Sequence, residues 1–353
     1  MKNFIPLLLI TAASMSCIGL VGCASQKAAS NEAKPAAAAN PEAGFVELKP
    51  IYAIAAPAQA ALKTFAYFYD QDRGDSFFVT APTSKTLFQI GTDEGELFQS
   101  ISKTVKEPMS DHAWVREADG TLFMLDGKQV LQVVGVDVLP RSYGAQKLTD
   151  LVNPQAMAIT KLSPGYRVVV LDKQPTGDKL KFFRADMKSK ALADVGDLAL
   201  LSVQATSELD LDATQISSLS AHPLEPGFML TQSKTLRFLD KDGQFTEQKP
   251  VALKAETLAI DVMACARGSN PGYWIALQKT DAGFQLELLS RLSFESIGTV
   301  SLPGIKAASD MRFVGRMTKY LPNGGVFLIA DDKLTAYNWQ DIASALGARK
   351  MCF

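Results

Sequence analysis

The feature that most constrains this 353-residue chain is a hairpin pattern that occurs six times. Each copy is an apolar run, a short polar turn and a second apolar run, which is typical of two adjacent antiparallel strands. The copies begin at Phe77, Leu122, Arg167, Phe228, Tyr273 and Val326. Their starts lie roughly 45 to 60 residues apart, the size of one propeller blade. A β-sandwich also has short strands, but it does not repeat at a long fixed period. The pattern therefore predicts an all-β fold, a six-bladed β-propeller.

The two ends of this region indicate how the propeller closes. The last copy shows only three strands, ending at Tyr337, and an isolated strand over residues 44–54 precedes the first copy. We expect this N-terminal strand to complete the last blade, because a ring closed by both termini leaves no free edge strand. After the last copy, Trp339 to Gly347 has apolar residues at helical spacing and a glycine at its end, which predicts a short C-terminal helix.

Residues 1–22 have the pattern of a lipoprotein signal peptide. Lys2 precedes a short apolar stretch, and residues 20–23 read Leu-Val-Gly-Cys, a lipobox. Cleavage before Cys23 would leave a cysteine that carries lipid, such as palmitate. A plain signal peptide and a membrane helix are the alternatives, but the apolar stretch is short and the lipobox is specific. Residues 23–43 are predicted to be the lipidated cysteine and a flexible linker, and residues 44–353 the propeller.

These features predict a lipid-anchored protein of the bacterial cell envelope that does not span the membrane. In a Gram-negative host, Ala24 favours the outer membrane, because retention at the inner membrane usually requires Asp after the cysteine. The partners expected are therefore the membrane, through the lipid, and an envelope ligand or protein. The formal net charge of −1 gives no support for nucleic-acid binding.

Cysteine and histidine usage also fits export. Of the four cysteines, Cys17 is removed with the signal and Cys23 carries lipid. Cys265 and Cys352 then remain as a predicted disulfide in an oxidising compartment, with two buried free thiols as the alternative. The chain has only two histidines, so the sequence shows neither a His/Cys metal cluster nor support for Ser-His-Asp catalysis.

Several acidic residues begin first strands or end second strands of the predicted blades. In a propeller, such positions tend to converge on the mouth of the central channel, where carboxylates could share hard cations such as Ca²⁺. Bridging cations could hold phosphate oxygens and activate water. The alternative is that these acids are turn residues that face solvent. The candidate metal ligands are Glu256, Asp310, Asp172, Asp126 and Asp331, and Asp332 has the same kind of position.

The last two copies contain motifs similar to those of a known family. The motifs are residues 256–260 (ETLAI), 264–266 (ACA), 272–276 (GYWIA) and 290–298, and the ending from residue 324 to the terminal cysteine. These motifs resemble the β-propeller phytases and phytase-like proteins, and the resemblance covers about residues 45–352. It implies a six-bladed propeller whose family hydrolyses inositol phosphates with Ca²⁺ in an acidic channel.

This chain departs from the family pattern at positions that matter for the metal. Residues 55–58 read AAPA where the family has an acid before Pro-Ala, and Gln215 replaces the acid that opens the fourth blade. Residues 231–233 (TQS) replace the acidic end of that blade's second strand. Glu256 and Asp310 are retained, but each is followed by a different dipeptide from the family's Gly-Ile. Each lost oxygen ligand weakens Ca²⁺ binding.

The sequence leaves two functions open. The first is a phytase-like lipoprotein with a degenerate metal site that binds a ligand or a protein partner at the envelope. The second is a Ca²⁺-dependent phosphomonoesterase acting on inositol phosphates, a hydrolase in which the five acids named above hold the metal ions and bound water is the nucleophile. The longest inter-copy loop, predicted over residues 186–214, is either a specific binding surface or an extra solvated connection.

Overall fold

The computed structural model describes residues 48–56, 60–69, 76–82, 86–91, 112–136, 141–192, 196–211, 216–265, 271–316 and 321–350. Within these ranges the strands form six separate antiparallel sheets. The predicted six-bladed β-propeller with a short C-terminal helix is therefore confirmed.

The first three blades follow β1 (Tyr52–Ala55) in chain order. Blade 1 contains β2 (Phe65–Phe68), β3 (Ser76–Ala81) and β4 (Thr86–Gly91). Blade 2 contains β5 (His112–Ala118), β6 (Thr121–Asp126), β7 (Val130–Gly135) and β8 (Arg141–Lys147). Blade 3 contains β9 (Pro154–Lys161), β10 (Tyr166–Gln174), β11 (Gly177–Leu192) and β12 (Gly196–Asp210).

The other three blades complete the ring. Blade 4 contains β13 (Ile216–Ala221), β14 (Gly227–Gln232), β15 (Thr235–Asp240) and β16 (Val251–Ala252). Blade 5 contains β17 (Glu256–Ala264), β18 (Gly272–Thr280), β19 (Gly283–Ser290) and β20 (Ser296–Leu302). Blade 6 contains β21 (Ala308–Val314), β22 (Gly325–Ala330), β23 (Lys333–Asn338) and β1, and α1 (Trp339–Ala345) follows.

The N-terminal strand closes the ring, as predicted. β1 pairs antiparallel with β23, with Tyr52 opposite Ala336 and Ala55 opposite Lys333. The strand is shorter than the predicted span of residues 44–54, since it begins at Tyr52. The first strands of successive blades contact one another all the way round, including β21 of blade 6 with β2 of blade 1.

The core consists of six apolar clusters, one at each junction between neighbouring blades. One blade alone would leave both faces of its sheet in water, so each sheet is stabilised by the neighbours that cover it. Strands β6 and β22 are buried along their whole length for this reason. This requirement explains why the hairpin pattern repeats rather than occurring once.

The prediction of a loop over residues 186–214 is wrong for the described residues 186–192 and 196–210, which form paired strands. β11 and β12 continue as a two-stranded ribbon, with pairs from Asp186 and Ser202 to Leu192 and Gly196, beyond the last pairing of β11 with β10. Blade 2 holds the base of this ribbon, because the Gln146 side chain both donates to the carbonyl of Val203 (2.7 Å) and accepts from its N–H (2.8 Å). Paired strands satisfy their own backbone groups, so this stretch needs no irregular loop.

The ends of the chain bear on several predictions. Asn338 caps α1 by accepting from the N–H of Gln340 (3.1 Å), and Trp339 packs between blades 5 and 6.

Cys265 is disulfide-bonded, while Cys352 lies outside the described residues, so their pairing stays a prediction. Cys23, the signal peptide and the linker also lie outside them. In the part of the chain described, no helix is long and apolar enough to cross a membrane.

Candidate ligand-binding site at the channel mouth

The ring has two faces that follow from its strand order. We call the upper face the one at which the first strand of each blade begins, and the lower face the one at which it ends. Because the second strand runs back, the turn between the second and third strands of each blade lies at the upper face. Most of the acids predicted as metal ligands therefore lie towards the upper face.

The central channel contains a cavity of about 180 Å³ towards the upper face, lined by residues from all six blades. Among the described residues, its charged lining consists of three cations, Lys63, Arg116 and Arg312, and one acid, Asp310. Ser217, Ser220 and Ser309 add hydroxyl groups. The lining of the cavity is therefore net cationic, whereas the sequence predicted an acidic channel.

Arg116 crosses the channel from blade 2. Its Nη1 donates to Oδ2 of Asp310 in blade 6 (2.8 Å), and its Nε donates to the carbonyl of Met157 in blade 3 (3.1 Å). Both side chains of the ion pair are largely shielded from solvent. Burial lowers the pKa of Arg116, and the carboxylate of Asp310 opposes this shift. The pair thus joins three blades across the channel.

Three side chains of the first strands link neighbouring blades at the channel wall. Asp310 accepts from the N–H of Phe65 (3.3 Å), Asp261 from the N–H of Phe313 (2.8 Å), and Oγ1 of Thr64 from the N–H of Val115 (3.0 Å). In each case the donor belongs to the first strand of the next blade round the ring. Asp310 is therefore the acceptor that connects blade 6 to blade 1.

Arg312 and Lys63 are the cations of this lining without a carboxylate partner within 4 Å among the described residues. Arg312 donates from Nη1 to the carbonyl of Met311 (3.3 Å), and Nζ of Lys63 lies 4.6 Å from the ring centre of Trp114. Burial lowers the pKa of Lys63. Both cations can contact an anion at the mouth without first breaking an ion pair.

Two further carboxyl groups interact electrostatically with Arg312. Burial raises the pKa of Glu117 to about 7, although Glu117 also accepts from the N–H of Gly120 (2.7 Å). Burial likewise raises the pKa of Asp261, and the charge of Arg312 lowers it in part. Glu117, which follows Arg116 in β5, is therefore the carboxyl group of this strand whose pKa burial brings to about 7.

Asp126 and Asp172 lie at the ends of second strands, as predicted, but local groups engage them. Oδ1 of Asp126 accepts from the N–H groups of Lys128 (2.8 Å) and Val130 (2.7 Å) in the turn before β7. Asp172, which is fully buried, accepts from the N–H groups of Val152 (2.9 Å) and Asn153 (2.6 Å). Both carboxylates thus stabilise the ends of their own blades.

The other predicted ligands are exposed. Asp331 accepts through Oδ1 from the N–H groups of Lys306 (3.0 Å) and Ala307 (2.9 Å), and Asp332 follows it in the same turn. Glu256 borders a second cavity of about 670 Å³ between blades 4 and 5. Among the described residues, no three His, Cys, Asp or Glu side chains lie together in a group that could hold a metal ion. The calcium site therefore stays a prediction.

Thr231, at the end of the second strand of blade 4, connects two blades. It is fully buried, and its Oγ1 donates to the carbonyl of Thr257 in blade 5 (3.0 Å). The hydroxyl of Ser218 lies 2.6 Å from Oγ1 of Thr231. A network of neutral hydroxyl groups therefore joins blades 4 and 5.

Lys63, Arg116 and Asp261 were not predicted as site residues. The signal in the sequence for Arg116 is a cation directly after apolar residues of a first strand, as in His112–Ala118 (HAWVREA). That signal identifies a residue of interest but not its partner, because Arg116 and Asp310 are 194 positions apart.

No protein-family model and no curated protein sequence matches the chain. Solved structures do show similarity. A crystal structure of BBS1N in complex with ARL6DN, soaked with lead, is 10% identical, with 83% of this chain and 97% of that chain covered and a TM-score of 0.49. The Neurospora crassa Pan2 WD40 domain is 13% identical, with coverages of 83% and 95% and a TM-score of 0.48. The WD40 β-propeller domain of Doa1 is 9% identical, with 78% of each chain covered and a TM-score of 0.46.

Proposed function

We propose that this chain is an envelope-anchored, phytase-like β-propeller lipoprotein that binds an anionic group of a ligand or protein partner at its channel mouth. The propeller fold is compatible with a ligand- or protein-binding module. The observation that carries the proposal is the cationic lining of the channel cavity, where Lys63, Arg116 and Arg312 accompany a single acid. In this proposal the metal site of the family is degenerate.

The position of Arg116 supports an anion rather than Ca²⁺ as the species bound. A Ca²⁺ ion needs six to eight oxygen ligands, typically including several carboxylates. The retained acid Asp310 already has the guanidinium of Arg116 at 2.8 Å. A divalent cation at Asp310 would lie beside that guanidinium, and Coulomb repulsion would oppose its binding. An anion would instead be attracted by Arg312 and Lys63.

The course of β1 gives the face at which the last blade begins to close. β23 runs from the upper to the lower face, so β1, its antiparallel partner, runs from the lower face upwards. The channel mouth therefore lies at the face opposite to the start of β1.

The test uses the full chain purified in detergent and inositol hexakisphosphate as a polyanionic probe. Titration calorimetry in the presence of chelator should show binding, with the probe recovered intact. Arg312→Gln should weaken binding roughly tenfold, the loss of one charge-assisted hydrogen bond. Lys249→Gln, which removes an exposed cation from the loop before β16, is the matched control and should not change the affinity.

Two results would overturn the proposal. Phosphate release that needs Ca²⁺ and is lost in Glu256→Gln would establish the phosphomonoesterase function instead. Absence of binding in chelator, with wild-type and Arg312→Gln chains indistinguishable, would show that the cationic lining does not bind anions.

A further inference from the structure

Two further cavities adjoin the channel mouth on the upper face. Ser217 lines both the channel cavity and the cavity of about 670 Å³ between blades 4 and 5. Lys63 and Ser309 line both the channel cavity and a cavity of about 340 Å³ between blades 6 and 1. The three cavities therefore adjoin one another, and we call them together the upper groove.

The two ends of the upper groove differ in charge. The end between blades 4 and 5 contains the lysines Lys234, Lys254 and Lys279 beside Glu256 and Asp281. With the cations of the channel mouth, this end and the centre of the groove are net positive. An anionic group is therefore favoured here.

The other end of the groove is apolar and acidic. Between blades 6 and 1 it is lined by the small or apolar side chains of Ala61, Leu62, Ala307 and Ile329. Asp331 and Asp332 border it, and among the described residues Lys63 is the one basic residue of its lining. This end favours an apolar side chain followed by a cationic group.

We propose that the upper groove binds an extended peptide segment, with an acidic group in the mouth and the basic end, and an amino or basic group beside Asp331 and Asp332. The inference rests on the proposed function and specifies its ligand. Each outer cavity alone has the volume of a site for a small organic molecule, so the three adjoining cavities together suit a longer ligand. Peptides also carry the charges of both signs that the two ends require.

Hydroxyl groups along the groove can serve the peptide backbone. Ser217 and Ser309 lie where the cavities join, and Ser233 and Thr280 lie at the basic end. A hydroxyl group both donates and accepts, so it can pair with either backbone group of an extended segment. Binding through backbone groups, with charge selection at the two ends, would give affinity without a requirement for one fixed sequence.

The test uses the full chain, immobilised in detergent, and a randomised octapeptide pool as the probe. Peptides retained by the chain are identified by mass spectrometry. We expect enrichment of peptides in which an acidic residue and a basic residue are separated by small or apolar residues. Acetylating the N-termini and amidating the C-termini of the pool should leave selection dependent on side-chain charges alone.

Single substitutions test the charge preference at each end of the upper groove separately. Asp332→Asn should remove the preference for a basic residue and retain that for an acidic one, and asparagine tolerates the positive φ of this position. Lys254→Gln should have the converse effect. Each variant should weaken a retained peptide roughly tenfold, and Lys249→Gln is the control expected to leave both preferences unchanged.

The outcomes distinguish this inference from the proposed function. If inositol hexakisphosphate binds but no peptide is enriched, or enrichment is the same in Asp332→Asn and Lys254→Gln, the peptide inference is wrong and the anion-binding function stands. If neither probe binds, both are wrong. Enrichment that shifts with each variant as stated supports the inference.

Discussion

The carboxylates of the second-strand turns and those of the channel differ in where their partners come from. Asp126 and Asp172 accept from backbone N–H groups no more than 20 positions away. Asp310 accepts from Phe65 and Arg116, which are 245 and 194 positions away in other blades. The turn carboxylates therefore stabilise a single blade, while the channel carboxylate stabilises the ring. Substitution of a turn carboxylate and substitution of the channel carboxylate should therefore have different effects on stability.

The largest effect is expected for Asp310→Ala. This change leaves the buried guanidinium of Arg116 without its partner, which should lower the free energy of unfolding by about 3 to 5 kcal/mol. Urea denaturation measures the change. The double variant Arg116→Met/Asp310→Leu should lose clearly less, because no unpaired charge stays buried. Equal losses in the single and double variants would contradict the role given to the pair.

A smaller and more local effect is expected for Asp172→Ala. The substitution leaves the N–H groups of Val152 and Asn153 without their acceptor, at a cost of about 2 to 3 kcal/mol. Hydrogen exchange should accelerate in blade 3 and not in blade 6, whereas Asp310→Ala should affect both sides of the ring closure. Exchange that accelerates evenly in all six blades of Asp172→Ala would contradict a local role.

Glu117 should also give the stability a pH dependence. Its pKa in the folded chain is about 7, above the ordinary value of 4.5. Between these values the folded chain binds more protons than the unfolded chain, so stability falls as the pH rises. The contribution is at most about 1.4 kcal/mol per pH unit. In Glu117→Gln the fall between pH 4.5 and 7 should be smaller, and an unchanged slope in urea denaturation would refute this assignment.

The smallest effect is expected for Asp331→Asn. The side chain is exposed, and asparagine keeps an oxygen acceptor for the N–H groups of Lys306 and Ala307. Asparagine also tolerates the positive φ of this turn. The free energy of unfolding should change by less than about 0.5 kcal/mol. A loss as large as that of Asp172→Ala would show that exposed and buried turn carboxylates contribute alike.

The repeating pattern was sufficient to predict most of the fold. The hairpin period predicted six blades, and the unmatched strand before the first copy predicted closure by β1. Both follow from local pattern and from the need to cover each sheet. The ribbon of β11 and β12 was missed because its alternating polar residues were interpreted as a loop, although they pair regularly.

The site was less predictable than the fold. The positions of Asp126 and Asp172 at strand ends could be predicted, because strand ends are marked by local turn residues. The pairing of Arg116 with Asp310 could not, since it depends on which residues of two distant first strands face each other across the channel. The sequence alone therefore identified Asp310 but neither Arg116, which pairs with it, nor Asp261.

The most direct test of the central claim, that the channel mouth binds anions without calcium, is the melting temperature of the full chain under three conditions. These are chelator alone, Ca²⁺ alone, and inositol hexakisphosphate with chelator. A ligand at a hundred times its Kd adds about 2.7 kcal/mol to the stability of the folded state. We expect the melting temperature to rise with the polyanion alone, and the rise to be reduced in Arg312→Gln. No rise with the polyanion in chelator, or a rise of the same size in Arg312→Gln, would contradict the claim.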